Sequence, residues 1–161
     1  LALYQPVAGD LRIIVAILKI NNDLERVGDL AVNIARKAQA VADSFPGPIP
    51  FDLQGMSDKA LAMLRDSLDA LVRGDASLAQ SVCTRDVEVN RMKRQIRQQV
   101  ERLLQSEPEK VSPLLRLLAV SRNLERIADL GTNIAEDVIY IVSGQIVRHQ
   151  SHTASSSEQN D

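Results

Sequence analysis

One block of sequence occurs twice in this chain, and that duplication constrains the fold more than any other feature. Leu24-Glu25-Arg26-Val27-Gly28-Asp29-Leu30, followed by Asn33-Ile34-Ala35, returns as Leu124-Glu125-Arg126-Ile127-Ala128-Asp129-Leu130 with Asn133-Ile134-Ala135, offset by 100 residues without a slip. A periodic core accounts for the recurring Leu and Ile, but it gives no reason to repeat Glu, Asp and Asn in register. The chain therefore holds the same helix twice, polar groups included.

The apolar residues around both copies recur at helical spacing. Leu11, Ile14, Leu18, Leu24, Val27, Ala31 and Ile34 predict a first helix from about Val7, with Pro6 in its first turn, to Asp43. Pro46, Gly47, Pro48 and Pro50 then break the pattern, so residues 46–52 read as a linker. A second helix is expected over Leu53–Arg73, with Gly74 as its C-terminal cap and Asp75 as the N-cap of a third helix, about Ala76–Gln105. Pro108 and Pro113 punctuate the next turn. A fourth helix follows to about Val142, with Gly144 ending it and a polar, disordered tail from Gln150.

The expected fold is all-α. Helices two to four form an antiparallel three-helix bundle, and helix one is the last helix of an incomplete first bundle, so its apolar face needs cover from elsewhere. A core of Leu, Ile, Val and Ala, without Trp and with only two Tyr and two Phe, suits helices packed side by side.

Composition also narrows the function. The net charge of −2 and the absence of a basic stripe interleaved with aromatics speak against nucleic acid as a partner. Cys83 is the only cysteine, which leaves neither an intramolecular disulfide nor a Cys-based zinc site, and it reads as a small buried hydrophobe. His149 and His152 lie at the tail, away from every acidic cluster. No run is apolar enough to span a bilayer, so the chain reads as cytoplasmic.

Chemistry concentrates in the acidic positions. Residues four apart share a helix face, so Glu25, Asp29 and Asn33 form one stripe of oxygen-bearing groups and Glu125, Asp129 and Asn133 another. Such carboxylates repel unless water, a neighbouring Arg26 or Arg126, or a cation relieves them. Hard cations such as magnesium, manganese or iron favour oxygen donors. Asp86 and Asn90 on the third helix share the same spacing and can face helix four, so Asp86, Asn90, Glu125 and Asp129 are expected to converge on one site. No nucleophile or acid–base partner of contrasting pKa accompanies them, which disfavours the alternative of a carboxylate-metal hydrolase or oxidase. A bundle whose acidic stripes are merely solvated is the plainer alternative.

Gln5-Pro6-Val7-Ala8-Gly9-Asp10-Leu11-Arg12 together with the Leu24–Leu30 block resembles the PhoU family of phosphate-transport regulators. The second block, through Asn133-Ile134-Ala135-Glu136-Asp137 and Gly144-Gln145-Ile146-Val147-Arg148-His149, resembles the C-terminal end of the same family. The resemblance implies tandem three-helix bundles whose acidic motifs bind divalent or trivalent metal ions (iron, manganese, zinc or magnesium) at Glu25, Asp29, Asp86, Asn90, Glu125 and Asp129. It implies a regulator and no enzyme: a cytoplasmic homodimer that represses phosphate uptake and the phosphate-starvation response. Its partners would be the phosphate ABC transporter ATPase and a sensor histidine kinase, with the membrane reached only through them. Asn90 places a neutral amide where the family often has a carboxylate, which implies a weaker site or a different metal.

Overall fold

Local signals set the helix boundaries. The computed structural model describes residues 8–45 and 47–155, with side chains over 10–45 and 47–143. It contains α1 (Ala8–Ala42), α2 (Leu53–Arg73), α3 (Ala76–Ser106), a 3-10 turn at Pro108–Lys110 and α4 (Val111–Ser155). The Asp52 carboxylate accepts from the Gly55 N–H at 2.8 Å and starts α2, while the Asp75 carboxylate accepts from the Leu78 N–H at 2.9 Å and starts α3. Between them Gly74 takes φ 63°, and its N–H reaches the carbonyls of Ala70 and Leu71. A left-handed residue at that point closes α2 and reverses the chain within two residues.

α2, α3 and α4 form the antiparallel three-helix bundle that the apolar spacing predicts. Its centre is built from Met56, Met63, Val82, Val89, Val100, Leu114, Leu117 and Ile134, all fully or nearly fully buried. Small residues let the helices close up. Ser67 and Ser121 are completely buried, and their hydroxyls donate to the Leu64 and Leu118 carbonyls one turn back. At Gly131 a Cβ would lie 3.2 Å from the Leu64 backbone nitrogen and 3.3 Å from its Cα. Gly131→Leu would drive α2 and α4 apart, and we expect a loss of about 2–3 kcal/mol in urea unfolding.

Among the described helices α1 packs on α4 alone and runs antiparallel to it. Lys19 meets Asp137, Arg12 stacks on Tyr140 with 5.1 Å to the ring centroid, and Phe45 meets Lys110 at the other end. The seam positions on α1 include Ala16, Ile20, Asp23, Val27, Leu30, Ile34, Lys37 and Val41. That spacing alternates four and three, as a two-helix seam requires. The opposite side of α1 stays open. Ile14 is 46% exposed where its repeat counterpart Leu114 is at 0%, and Ile17 is 52% exposed against 2% for Leu117. Of the sources of cover that helix one requires, α4 supplies a single side.

The C-terminal end corrects the reading of the sequence. α4 does not stop at Gly144, and the segment after Gln150 is helical as far as Ser155. A helix-interior glycine costs about 1 kcal/mol relative to alanine, too little to end a helix by itself, and Gly144 does not take positive φ. Gly47 and Gly74 do. Pro6, Pro46 and the last six positions, 156–161, lie outside the described residues.

Candidate metal-binding corner and inter-repeat cleft

The α3–α4 edge gathers most of the acidic residues singled out by spacing. The Asn90 side-chain amide donates to Asp86 Oδ2 at 2.6 Å, while Asp86 Oδ1 is buried and has no hydrogen-bond partner. Across the helix pair, the Lys93 ammonium pairs with Glu125 Oε1. Asp129, one turn along α4, is pushed up to about 6, first by burial and then by the charges of Glu125 and Asp86; Lys93 and Arg126 pull it back only in part. Asp86, Glu125 and Asp129 therefore share one electrostatic neighbourhood. Among the described residues, however, no three His, Cys, Asp or Glu side chains close on a point as the ligands of one ion would.

The donor chemistry nevertheless fits a hard cation. Every group on offer is an oxygen donor, one buried oxygen is orphaned, and an ammonium already stands where positive charge is needed. Spacing along single helices offers water, Arg126 or a cation as relief for the Glu125 and Asp129 charges. The structure pairs Glu125 with Lys93 on α3, seven residues beyond Asp86 and therefore on the same face, and leaves Arg126 to act on Asp129. Arg26 likewise turns to Asp23, at 3.6 Å, and not to Glu25.

The first copy is placed differently. Glu25, Asp29 and Asn33 are exposed on α1, and no described helix other than α4 packs against it. Asp29 instead joins the second copy in a cleft of about 380 Å3 lined by Arg26/Arg126, Asp29/Asp129, Leu30/Leu130 and Asn33/Asn133. Each pair is separated by the repeat offset. Antiparallel packing thus sets the two motifs across a local twofold axis.

A raised carboxyl has a definite consequence for stability. Below the ordinary value of 3.8, Asp129 is protonated in both the folded and the unfolded chain and has no effect. As pH rises through 3.8 towards 6, the unfolded chain ionises first, so stability falls, and above about 6 the full penalty is present. After allowance for solvent screening the penalty is about 1 kcal/mol. Asp129→Asn should therefore be the more stable protein at pH 7.5, and the two melting curves should converge below about pH 4, which melting temperature against pH will show.

Two further buried acids carry no signal in the spacing of motifs. Asp23 and Asp137 are each only 8% exposed in the α1–α4 seam. Lys19 Nζ lies 2.5 Å from Asp137 Oδ1, whereas Asp137 Oδ2 is buried without a partner. Cys83 is half-buried against the core, and burial, followed by the Glu136 charge, pushes its thiol up, which fits a packing role.

These features define a helical-bundle protein with duplicated carboxylate motifs, and comparison with known proteins makes the assignment specific. The PhoU domain family model matches residues 1–38 and 53–138, and the chain belongs to the PhoU family. It is 39% identical over 150 residues to the phosphate-specific transport system accessory protein PhoU homolog of Pseudomonas putida, covering 92% of this chain and 59% of that protein. The crystal structure of PhoU from Pseudomonas aeruginosa superposes with a TM-score of 0.84 at 37% identity, covering 88% of this chain and 68% of that one. That of the phosphate transport system regulatory protein PhoU from Streptococcus pneumoniae gives 0.77 at 28% identity, covering 86% and 66%. The chain spans about three fifths of the length of the curated relatives it matches.

Proposed function

We propose that this chain is an accessory regulator of phosphate transport, a negative regulator of phosphate uptake and of the phosphate-starvation response that works by binding partner proteins. The observation that carries the reading is its membership of a family whose named relatives are phosphate-specific transport system accessory proteins. Within that role the α3–α4 corner is the metal-binding element. Asp86, Glu125 and Asp129 would hold a hard cation with Asn90 as a neutral neighbour, and the ion would supply charge neutralisation and cross-linking of two helices. Lys93 occupies Glu125 until it does.

The partners proposed are the ATPase of the phosphate ABC transporter and its sensor histidine kinase, met in the cytoplasm by a homodimer. No described helix is long and apolar enough to cross a membrane. A hydrolase or oxidase on the same carboxylates finds no support in what the relatives are named for. Affinity capture of the transporter ATPase and the kinase, with and without a chelator, tests the reading. Retention of both partners that weakens on chelation is expected, and failure to retain either would overturn it.

A further inference from the structure

The local twofold of the α1–α4 seam is obeyed by shape and broken by charge. At one end Asp137 pairs with Lys19 and Asp23 with Arg26, both acids being buried. The twofold carries Asp23 onto Asn123 and Asp137 onto Lys37, and it carries Asn22 and Glu136 onto Arg122 and Arg36. The acidic end therefore has a counterpart made of hydrogen-bond donors. Lys37 and Asn123 are half-buried at their seam positions, and Asn123 Nδ2 is buried with no partner.

No acceptor answers these donors. Among the described residues, Arg36, Lys37, Arg122 and Arg126 form neither ion pairs nor hydrogen bonds with other side chains. Acids a turn or two along the same helices are engaged elsewhere or set to one side. Glu125 is held by Lys93, Asp43 accepts from Gln39 Nε2 at 3.3 Å, and Asp29 and Asp129 line the adjoining cleft. Arg126 faces Asp129 across that cleft, but the twofold carries Arg36, Lys37 and Arg122 to one end of the seam, where they repel one another. An anionic ligand relieves that repulsion.

We infer that the Lys37–Asn123 end of the seam binds a polyvalent oxyanion of phosphate chemistry, held by Arg36, Arg122 and Lys37 beside the buried Asn123 amide. Planar guanidinium groups donate two parallel hydrogen bonds to such an oxyanion, and the lysine adds a point charge. This site is separate from the carboxylate corner and does not depend on the regulatory reading. The oxyanion reaches it either free in solution or as a lipid headgroup.

Calorimetric titration of the full chain with inorganic phosphate, in chelator so that no metal at the carboxylates can recruit the anion, tests the first source. Co-sedimentation with phosphatidylglycerol vesicles, against phosphatidylcholine vesicles, tests the second. Saturable binding in either arm is expected, weakened at least tenfold by Arg122→Gln and by Lys37→Met, and by less than twofold by Arg12→Gln at the opposite end. Asn123→Asp places at this end the acceptor that Asp23 provides at the other. It should abolish binding while raising the melting temperature, a pair of effects that misfolding cannot produce. Absence of binding in both arms overturns the inference, as does equal weakening by Arg122→Gln and Arg12→Gln, which would mark non-specific charge attraction.

Discussion

Leu117→Ala should destabilise the folded chain by about 3 kcal/mol, whereas Ile17→Ala, the same position in the other repeat, should cost less than about 1 kcal/mol. Leu117 is enclosed by the three-helix bundle at 2% exposure, and Ile17 stands 52% exposed on the open side of α1. Truncating the first leaves a cavity among Leu, Met and Val side chains, and truncating the second leaves none. Urea unfolding of the two variants gives the comparison directly. Equal costs would mean that the outer face of α1 is covered in solution as fully as that of α4.

The second large effect concerns the acidic end of the seam. Lys19→Met should cost about 2 kcal/mol at pH 7, far more than an exposed ion pair contributes, because it strands Asp137. With the ammonium gone, both Asp137 oxygens are without a partner, and Asp23 is buried in the same seam. Attraction to Asp137, foremost through that hydrogen bond, also raises the Lys19 pKa above its ordinary value, so the pair contributes across the neutral range and is lost only as pH rises beyond it. Lys19→Met combined with Asp137→Asn should recover most of the loss, since an amide carries no stranded charge. Thermal melts of the single and double variants will measure this, and an unchanged melting temperature for Lys19→Met would contradict it.

Much of the fold is legible in the sequence because it rests on local physics. Gly74 and Asp75 cap the helices they are expected to cap, and the expected spans of α2 and α3 agree with the observed ones to within a residue. The α1–α4 seam is not legible in the same way. Its positions include Asp23, Lys37, Asn123 and Asp137, so hydrophobic spacing reads them as solvated, and only three-dimensional pairing shows that some are buried. Gly144 misleads for a related reason, since a stop needs a left-handed backbone or a following proline as well as a glycine.

The candidate site divides along the same line. Spacing along one helix places Asp86 with Asn90 and Glu125 with Asp129, and the structure brings these two pairs into one electrostatic neighbourhood. It says nothing of Lys93, whose role arises only between helices. Glu25 and Asp29 match the second copy letter for letter yet differ in setting, because no described helix faces them as α3 faces α4. Duplicated residues are a statement about ancestry and helix type; a site also needs neighbours.

The account turns on whether the carboxylates of α3 and α4 act together on a cation. Manganese titration of the chelator-stripped chain, followed by calorimetry, addresses that most directly when run beside Glu125→Ala, Asp129→Ala and Asp29→Ala. Saturable binding that falls at least tenfold in the first two variants and stays within twofold in the third is the predicted result. Binding that is absent, or indifferent to Glu125 and Asp129, would contradict the account.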